Sequence, residues 1–310
     1  MKKIIKKIVL KIYHGLKSIL ARPIKQKTYD AWLSKGYIFN PHVSFIIQTH
    51  NKSKQVTKII KKLRNYRSGE IIVIDDGSKF KHVNKLRKEL TGANEFLIVA
   101  NDLYELITYD RAINLAKGRY VCLMQDDDDF KNIDWIEEAI NFFSKYKDMV
   151  ILGGNNGITY LDYEKTKDGL IGKYISDGDI GSRKNLFKFK IQTMKNRGEF
   201  KFVECVNRAP MWINRKLFLE KLFNFDMSFS PYLHDDAEIC LRAWLTGLKV
   251  GIYNAFFFHG KLDKGGMRIW NNNLTEQQSI KNSRKINQLY ETKFSIIEEK
   301  VSKANSQNNL

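Results

Sequence analysis

Long apolar runs, paired cysteines and phosphate-loop glycines are what this sequence of 310 residues lacks. No stretch reaches the roughly 20 apolar residues that a membrane-spanning helix needs. The three cysteines, Cys122, Cys205 and Cys240, lie far apart with no C-x-x-C pair. That argues against a zinc knuckle or a dense disulfide framework and fits a reducing compartment. Neither a phosphate-binding G-x-x-x-x-G-K-[ST] loop nor a G-x-G-x-x-G after the first strand is present, so a P-loop NTPase and a dinucleotide fold are both disfavoured. Acids are scarce beside bases: 34 Asp and Glu face 53 Lys and Arg, a formal net charge of +19. Such an excess points to an anionic partner, whether nucleic acid, a phospholipid surface or a phosphorylated substrate.

The charge is concentrated at the start. "MKKIIKKIVLKIYHGLKSILARPIKQK" holds nine Lys and Arg and no acid. Ile4, Ile5, Ile8, Val9, Ile12, Leu16, Ile19 and Leu20 recur at helical spacing and form one stripe, with lysines opposite. Lysines interrupt the apolar stretch, which no signal peptide tolerates. The pattern predicts a helix lying in an anionic membrane interface. Two alternatives are a solvated helix packed on the protein's own core and a nucleic-acid-binding helix; no aromatic-interleaved platform or zinc motif supports the latter.

Beyond Pro41 the chain alternates. "HVSFIIQTHN" reads as a buried strand, and Ser53 stands where it would cap a helix built on Val56, Ile59, Ile60 and Leu63. "EIIVIDDGS" is a second strand, followed by a helix over about 83–90. "EFLIVAND" is a third strand. A helix over about 106–116 is predicted to stop at Gly118 as its C-cap. "RYVCLMQDDDD" is the fourth strand. The alternation predicts a parallel α/β sheet with helices on both faces, and no internal repeat is present. Three strands end in polar clusters: Thr49 and Asn51, Asp75 and Asp76, and Asp126 to Asp129. In open parallel sheets ligands bind beyond the carboxyl ends of the strands, so the clusters are expected to share one crevice.

An acidic crevice binds an anionic phosphate only through a divalent cation, and Mg²⁺ and Mn²⁺ take one or two carboxylates plus substrate phosphates. On an extended chain Asp126 and Asp128 would point one way and Asp127 and Asp129 the other, and such a strand end would present one carboxylate to a metal and another to a sugar or ribose hydroxyl. The alternative is a solvated acidic turn.

"VSFIIQTHN", "EIIVIDDGS", "YDRAINLAKGRYVCLMQDDDD" and "HDDAEICLRAWLTGLKVGIYNAFFFH", in this order, resemble the family 2 glycosyltransferases of the GT-A fold. The resemblance covers about 43–135 and 203–260. It implies a Rossmann-like, mostly parallel α/β sheet of the nucleotide-diphospho-sugar transferase type. With the basic membrane-surface helix read over 1–30 from its pattern, the expected organisation is a catalytic domain over 40–260 and a mobile loop and C-terminal helix or tail over 261–310. Within the domain, 40–135 would serve the nucleotide-sugar and 136–260 the acceptor.

The resemblance assigns nucleotide-sugar contacts to Thr49, Asn51, Asp75, Asp76, Asp110, Arg111 and Asp126. Asp110 stands where the family usually has Asn. Asp128, with His259 after the strand "VGIYNAFFF", would hold Mn²⁺ or Mg²⁺; the alternative for His259 is structural. Asp236 matches the family's general base, with Asp235 in the usual Glu position as a lesser candidate for that role. Glu238 and Arg242 are spaced for an i,i+4 pair. Trp212, in "NRAPMWIN", would stack on an acceptor sugar; the alternative is an ordinary core tryptophan. "GKLDKGGMRIWNNN" reads equally as a closing lid and as a link.

The implied activity is inverting, metal-dependent transfer of a sugar from a nucleoside-diphosphate sugar, UDP-linked by preference, to a glycan or lipid-linked acceptor. The membrane-surface helix suggests the cytoplasmic, inner face of the membrane as the setting, and by family analogy the product class is a bacterial capsule or lipopolysaccharide. A processive synthase is disfavoured by the missing spanning helices and Q-x-x-R-W element. The rival from another class is a non-catalytic basic protein that binds membrane or nucleic acid.

Overall fold

The computed structural model describes residues 5, 8–16, 30–31, 34–154, 156–160, 189–208, 210–259 and 272–308. Residues 8–16 form a helix, α1. The apolar run Val43, Phe45, Ile46, Ile47 is fully buried in β1 (Val43–Thr49), as a strand covered on both faces requires. Strands and helices then alternate through α2 (Ser53–Leu63), β2 (Gly69–Asp76), α3 (Phe80–Glu89), β3 (Glu95–Ala100), α4 (Tyr104–Leu115), β4 (Tyr120–Met124), β5 (Asp128–Asp129) and α5 (Asp134–Lys145). The second half carries β6 (Met149–Gly153), β7 (Asn156–Tyr160), β8 (Phe189–Thr193), β9 (Phe200–Phe202), β10 (Cys205–Val206) and β11 (Met211–Asn214). It continues with α6 (Arg215–Leu217), α7 (Asp235–Leu245), β12 (Lys249–Tyr253), β13 (Phe258–His259), α8 (Asn272–Tyr290) and α9 (Phe294–Asn308).

Eight strands form the main sheet in the order β3-β2-β1-β4-β11-β6-β12-β9. β3, β2, β1 and β4 are mutually parallel, and β12 runs parallel to β6. β11 runs antiparallel to both β4 and β6, and β9 antiparallel to β12, so the sheet is mostly parallel with two reversed strands. From β1 the chain builds outward to β2 and β3, then returns to place β4 on the other side of β1. That reversal is a topological switch point, where a crevice opens beyond the strand ends.

Two glycines shape this half. Gly77 has φ +77° directly after the acidic end of β2, a backbone that favours glycine. A Cβ on Gly118 would lie 2.5 Å from Ser44 N, so β4 can approach β1 only with glycine there. Gly118 is therefore a close-approach glycine and not the expected helix cap, since α4 ends at a C-cap on Ala116. Ser53 likewise is not the N-cap of α2. The cap is Lys52, and the Ser53 hydroxyl meets His82 Nδ1 at 2.9 Å.

The core under the crevice is aromatic. Trp135 sits edge-on to Phe45, Phe130, Trp212 and Phe257, with centroids 4.8–6.2 Å apart. Trp212 Nε1 donates to Tyr253 Oη at 3.0 Å, and that hydroxyl donates to the Trp135 carbonyl at 3.1 Å. Burying such polar tips demands partners; Trp212 and Tyr253 find them here, while the buried Trp135 Nε1 has no hydrogen-bond partner among the described residues. All three cysteines are free and buried. No helix among the described residues is long and apolar enough to cross a membrane.

Candidate active site

The switch-point crevice is lined by Gln48, Thr49 and His50 from β1 and the residue after it, Gln125 and Asp126 beyond β4, and Glu105 and Tyr109 of α4. Tyr109 reaches it because its hydroxyl donates to the Met124 carbonyl at 2.8 Å, tying α4 to the end of β4. The Asp126 carboxylate accepts from His50 N–H at 3.1 Å, so the ends of β1 and β4 are joined. Burial pushes the Asp126 carboxyl up to about 6, against the pull of the His50 N–H, and neighbouring Asp127 pushes the same way.

The two acids ending β2 do different work. Asp76 accepts from Leu103 N–H at 2.9 Å and Tyr104 N–H at 2.8 Å, holding the start of α4 where Asp102 and Tyr104 both have positive φ. Asp75 accepts one bond, from Ser78 N–H at 3.1 Å, while its buried Oδ2 has no hydrogen-bond partner among the described residues. An uncommitted buried carboxylate oxygen is costly and suits a ligand N–H. The Asn51 side-chain oxygen accepts from Lys79 N–H at 2.8 Å and its own N–H donates to the Ser78 hydroxyl oxygen at 2.7 Å, so it braces the loop beyond β2. Asp110 is brought elsewhere: its carboxylate accepts from Phe225 N–H at 3.0 Å. Arg111 is largely exposed, 3.6 Å from Asp110.

The aspartate run is not extended. Asp128 N–H donates to the Gln125 carbonyl at 3.3 Å and Gln125 N–H to Asp128 Oδ2 at 2.9 Å, closing a turn before β5. The expected alternation of sides is therefore replaced by a fold-back that buries Asp126, Asp127 and Asp128 together, at 1%, 7% and 0% exposure. Asp129 leaves the group and pairs with Lys62, whose ammonium also donates to the Phe130 carbonyl at 2.5 Å. Burial raises the Asp128 carboxyl well above its ordinary value, and the charges of Asp127 and Asp126 raise it further. β5 pairs antiparallel with β13, placing His259 in register opposite Asp128. No three His, Cys, Asp or Glu side chains among the described residues form a closed metal cage. The donor set fits a hard divalent cation that takes its remaining ligands from phosphate. Clustered carboxylates held in the desolvated floor of a crevice are stabilised by that charge.

The second half reaches the crevice wall through the link from Asp235 to Arg208 to Glu105. Leu233 (φ +75°) and His234 (φ +63°) are both left-handed, so the chain enters α7 through a strained corner. Asn282 of α8 holds that corner by donating from Nδ2 to the carbonyls of Phe229, Tyr232 and Leu233 at 2.9, 3.0 and 2.7 Å. His234 Nε2 meets the Ser279 and Ser283 hydroxyls of the same helix at 3.2 and 3.1 Å. Asp235 is 1% exposed and ion-paired with Arg208. Asp236 is half-buried, its Oδ1 accepting from Ala237 N–H at 2.9 Å. Glu238 receives Arg242 through two bonds, 2.9 and 3.0 Å long, and the Tyr290 hydroxyl at 2.8 Å, as the i,i+4 spacing predicts and more.

Trp212 corrects the expectation of an acceptor platform. It is fully buried in β11, in the aromatic core, because its neighbours on the sheet are β4 and β6. The segment 260–271, read as lid or link, lies outside the described residues. Sequence reasoning passed over Glu105, Arg208 and Asn282. Arg208 was within reach as the one charged residue in "NRAPMWIN"; nothing local marks the other two.

A family model described as "Glycosyl transferase family 2" matches residues 44–223. That is more than half of the chain, which belongs to this family. Its sheet is the GT-A arrangement. The protein is similar in structure to the mannosyltransferase PcManGT from Pyrobaculum calidifontis, solved with GDP-Man and Mn²⁺, at 12% identity and a TM-score of 0.46, covering 76% of this chain and 65% of that one. It is similar also to TarS from S. aureus, at 15% identity and a TM-score of 0.45, covering 69% of this chain and 58% of that one. The chain thus spans less than two thirds of either structure. No curated protein sequence matches it.

Proposed function

We propose that this protein is a divalent-metal-dependent, inverting glycosyltransferase that moves a sugar from a nucleoside-diphosphate sugar, UDP-linked by preference, to a hydroxyl of a glycan or lipid-linked acceptor. The observation that carries the reading is a buried acidic turn at the sheet's switch point, joined through Glu105, Arg208 and Asp235 to the half-buried Asp236. In this reading residues 40–135 bind the donor and 136–260 the acceptor. Asp75 Oδ2 accepts the N–H of the nucleotide base, and Asp126 a sugar or ribose hydroxyl. Asp128 and His259 hold Mn²⁺ or Mg²⁺, which when bound offsets charge on the leaving diphosphate. Asp236 takes the acceptor hydroxyl proton as the acceptor oxygen bonds to the anomeric carbon. The bond from that carbon to the diphosphate breaks in the same displacement, and the diphosphate leaves with the electron pair. One displacement inverts the centre.

The setting we propose is the inner face of a bacterial membrane, in surface-polysaccharide synthesis such as capsule or lipopolysaccharide. The support is the basic first segment: Ile5, Ile8, Val9, Ile12 and Leu16 are all more than half exposed, on a stretch rich in lysine.

Asp236→Asn is expected to lower turnover of the donor by about 10²–10⁴-fold, the usual worth of a general base, while calorimetry shows Mn²⁺–UDP binding unchanged. EDTA is expected to abolish turnover and Mn²⁺ or Mg²⁺ to restore it. Wild-type turnover after rigorous chelation overturns the metal reading, and a protein that releases no nucleotide from any sugar donor is a binder instead.

A further inference from the structure

We propose that Arg208 is a positioning residue for the reaction, setting the acceptor base against the donor crevice by gripping both halves of the site. The inference rests on Asp236 being that base. Arg208 is 6% exposed. Its Nη1 donates to Glu105 Oε2 at 2.9 Å, and Nη2 pairs with Asp235. The guanidinium lies over the Tyr109 ring at 5.3 Å and the Phe225 ring at 5.9 Å. Glu105 and Tyr109 both line the crevice with Thr49, His50 and Asp126. Asp235 is the first residue of α7, directly before Asp236. One rigid fork therefore spans from the wall of the donor crevice to the base's neighbour.

Three points separate this from ordinary packing. First, a buried ion pair gains little stability over apolar residues of the same shape, so the triad Glu105–Arg208–Asp235 is a poor stability device. Second, α7 begins after two left-handed residues, Leu233 and His234. Local propensity does not choose that path, so the direction of the first turn is set by contacts such as this pair. Third, the planar fork holds two carboxylates at once, Glu105 by a hydrogen bond and Asp235 by an ion pair, and lysine supplies the charge without that geometry. A small misplacement of a catalytic group is enough to cost large factors in rate.

The test uses the full chain with Mn²⁺ and a panel of UDP-glucose, UDP-galactose, UDP-N-acetylglucosamine and GDP-mannose, following nucleotide release to water from the best-used donor. Arg208→Met is expected to lower kcat by about tenfold or more, a fraction of a general base's usual worth. The donor KM and the Kd for Mn²⁺–UDP are expected to stay within about threefold. Arg208→Lys is expected to recover part of kcat. Because Arg208→Met strands the Asp235 charge, the double variant Arg208→Met/Asp235→Asn serves as the folding control, and it is expected to melt near wild type with kcat still low. The proposal is overturned if Arg208→Met keeps wild-type kcat, or if kcat, KM and Kd worsen together and all recover in the double variant, which is the signature of stability alone. Wild-type turnover by Asp236→Asn would instead remove the base assignment. Failure of the wild-type protein both to use any donor and to bind Mn²⁺–UDP removes the proposed function itself.

Discussion

Asp126 carries a carboxyl that burial pushes up to about 6, and the direction of that shift has a consequence for stability. The folded protein holds this proton more tightly than the unfolded chain. Ion-free protein therefore loses stability as pH rises from about 4 through about 6, the reverse of an ordinary salt-bridged aspartate. Asn in its place can still accept from the His50 N–H and has no charge to desolvate. Asp126→Asn is expected to be more stable than wild type in chelator at pH 7.5, by on the order of 3 kcal/mol at most, and equal to it near pH 4. Urea unfolding at the two pH values measures this, and a gap that is the same at both refutes it. The gain would come with weakened donor binding, the usual exchange at a functional site. Asp75 and Asp76 also differ by contact: adjacent and both fully buried, Asp76 holds the start of α4 while Asp75 keeps a buried oxygen with no hydrogen-bond partner among the described residues.

Helix α8 is the element whose role the sequence conceals. In sequence its residues read only as part of a loop and C-terminal segment over 261–310, yet Gln278, Ser279, Asn282 and Ser283 grip the corner that leads into α7. Asn282→Ala leaves the carbonyls of Phe229, Tyr232 and Leu233 without that donor. It is expected to destabilise the protein by about 1–3 kcal/mol and to lower kcat, since the corner holds Asp236. Equilibrium unfolding and donor turnover read both; a loss below about 0.5 kcal/mol, the range of a neutral surface change, means the corner stands without the clasp. The short ribbon of β5 and β13 is a second such element. Its two-residue strands are too short for any pattern to announce, and only their pairing brings His259 opposite Asp128.

Across the whole molecule, charge is divided by place. The formal excess of +19 coexists with a crevice floor of buried carboxylates, so the attraction to anions operates at the surface and not at the floor of the site. The 310-residue chain is expected to sediment with phosphatidylglycerol vesicles and not with phosphatidylcholine ones, and to be released as salt rises from about 0.05 to 0.5 M. Ile8→Glu/Ile12→Glu is expected to abolish the binding. Vesicle binding that survives this double change assigns the membrane contact to another surface.

Composition and pattern were sufficient for the alternation of strands and helices, because continuous apolar runs and acidic or glycine stops are local signals. They were sufficient also for the convergence of β1, β2 and β4, because strand ends in a parallel sheet face one edge. Four aspartates in a row carry no record of which one turns, which one meets Lys62 and which ones are buried; the fold-back at Gln125 decided that. Whether a tryptophan between strand residues faces a sugar or the core was decided by the neighbours of β11. The link from Glu105 through Arg208 to Asp235 joins residues 103 and 27 positions apart. Such a contact depends on how helices pack on a sheet, and that is settled only when the whole chain is assembled.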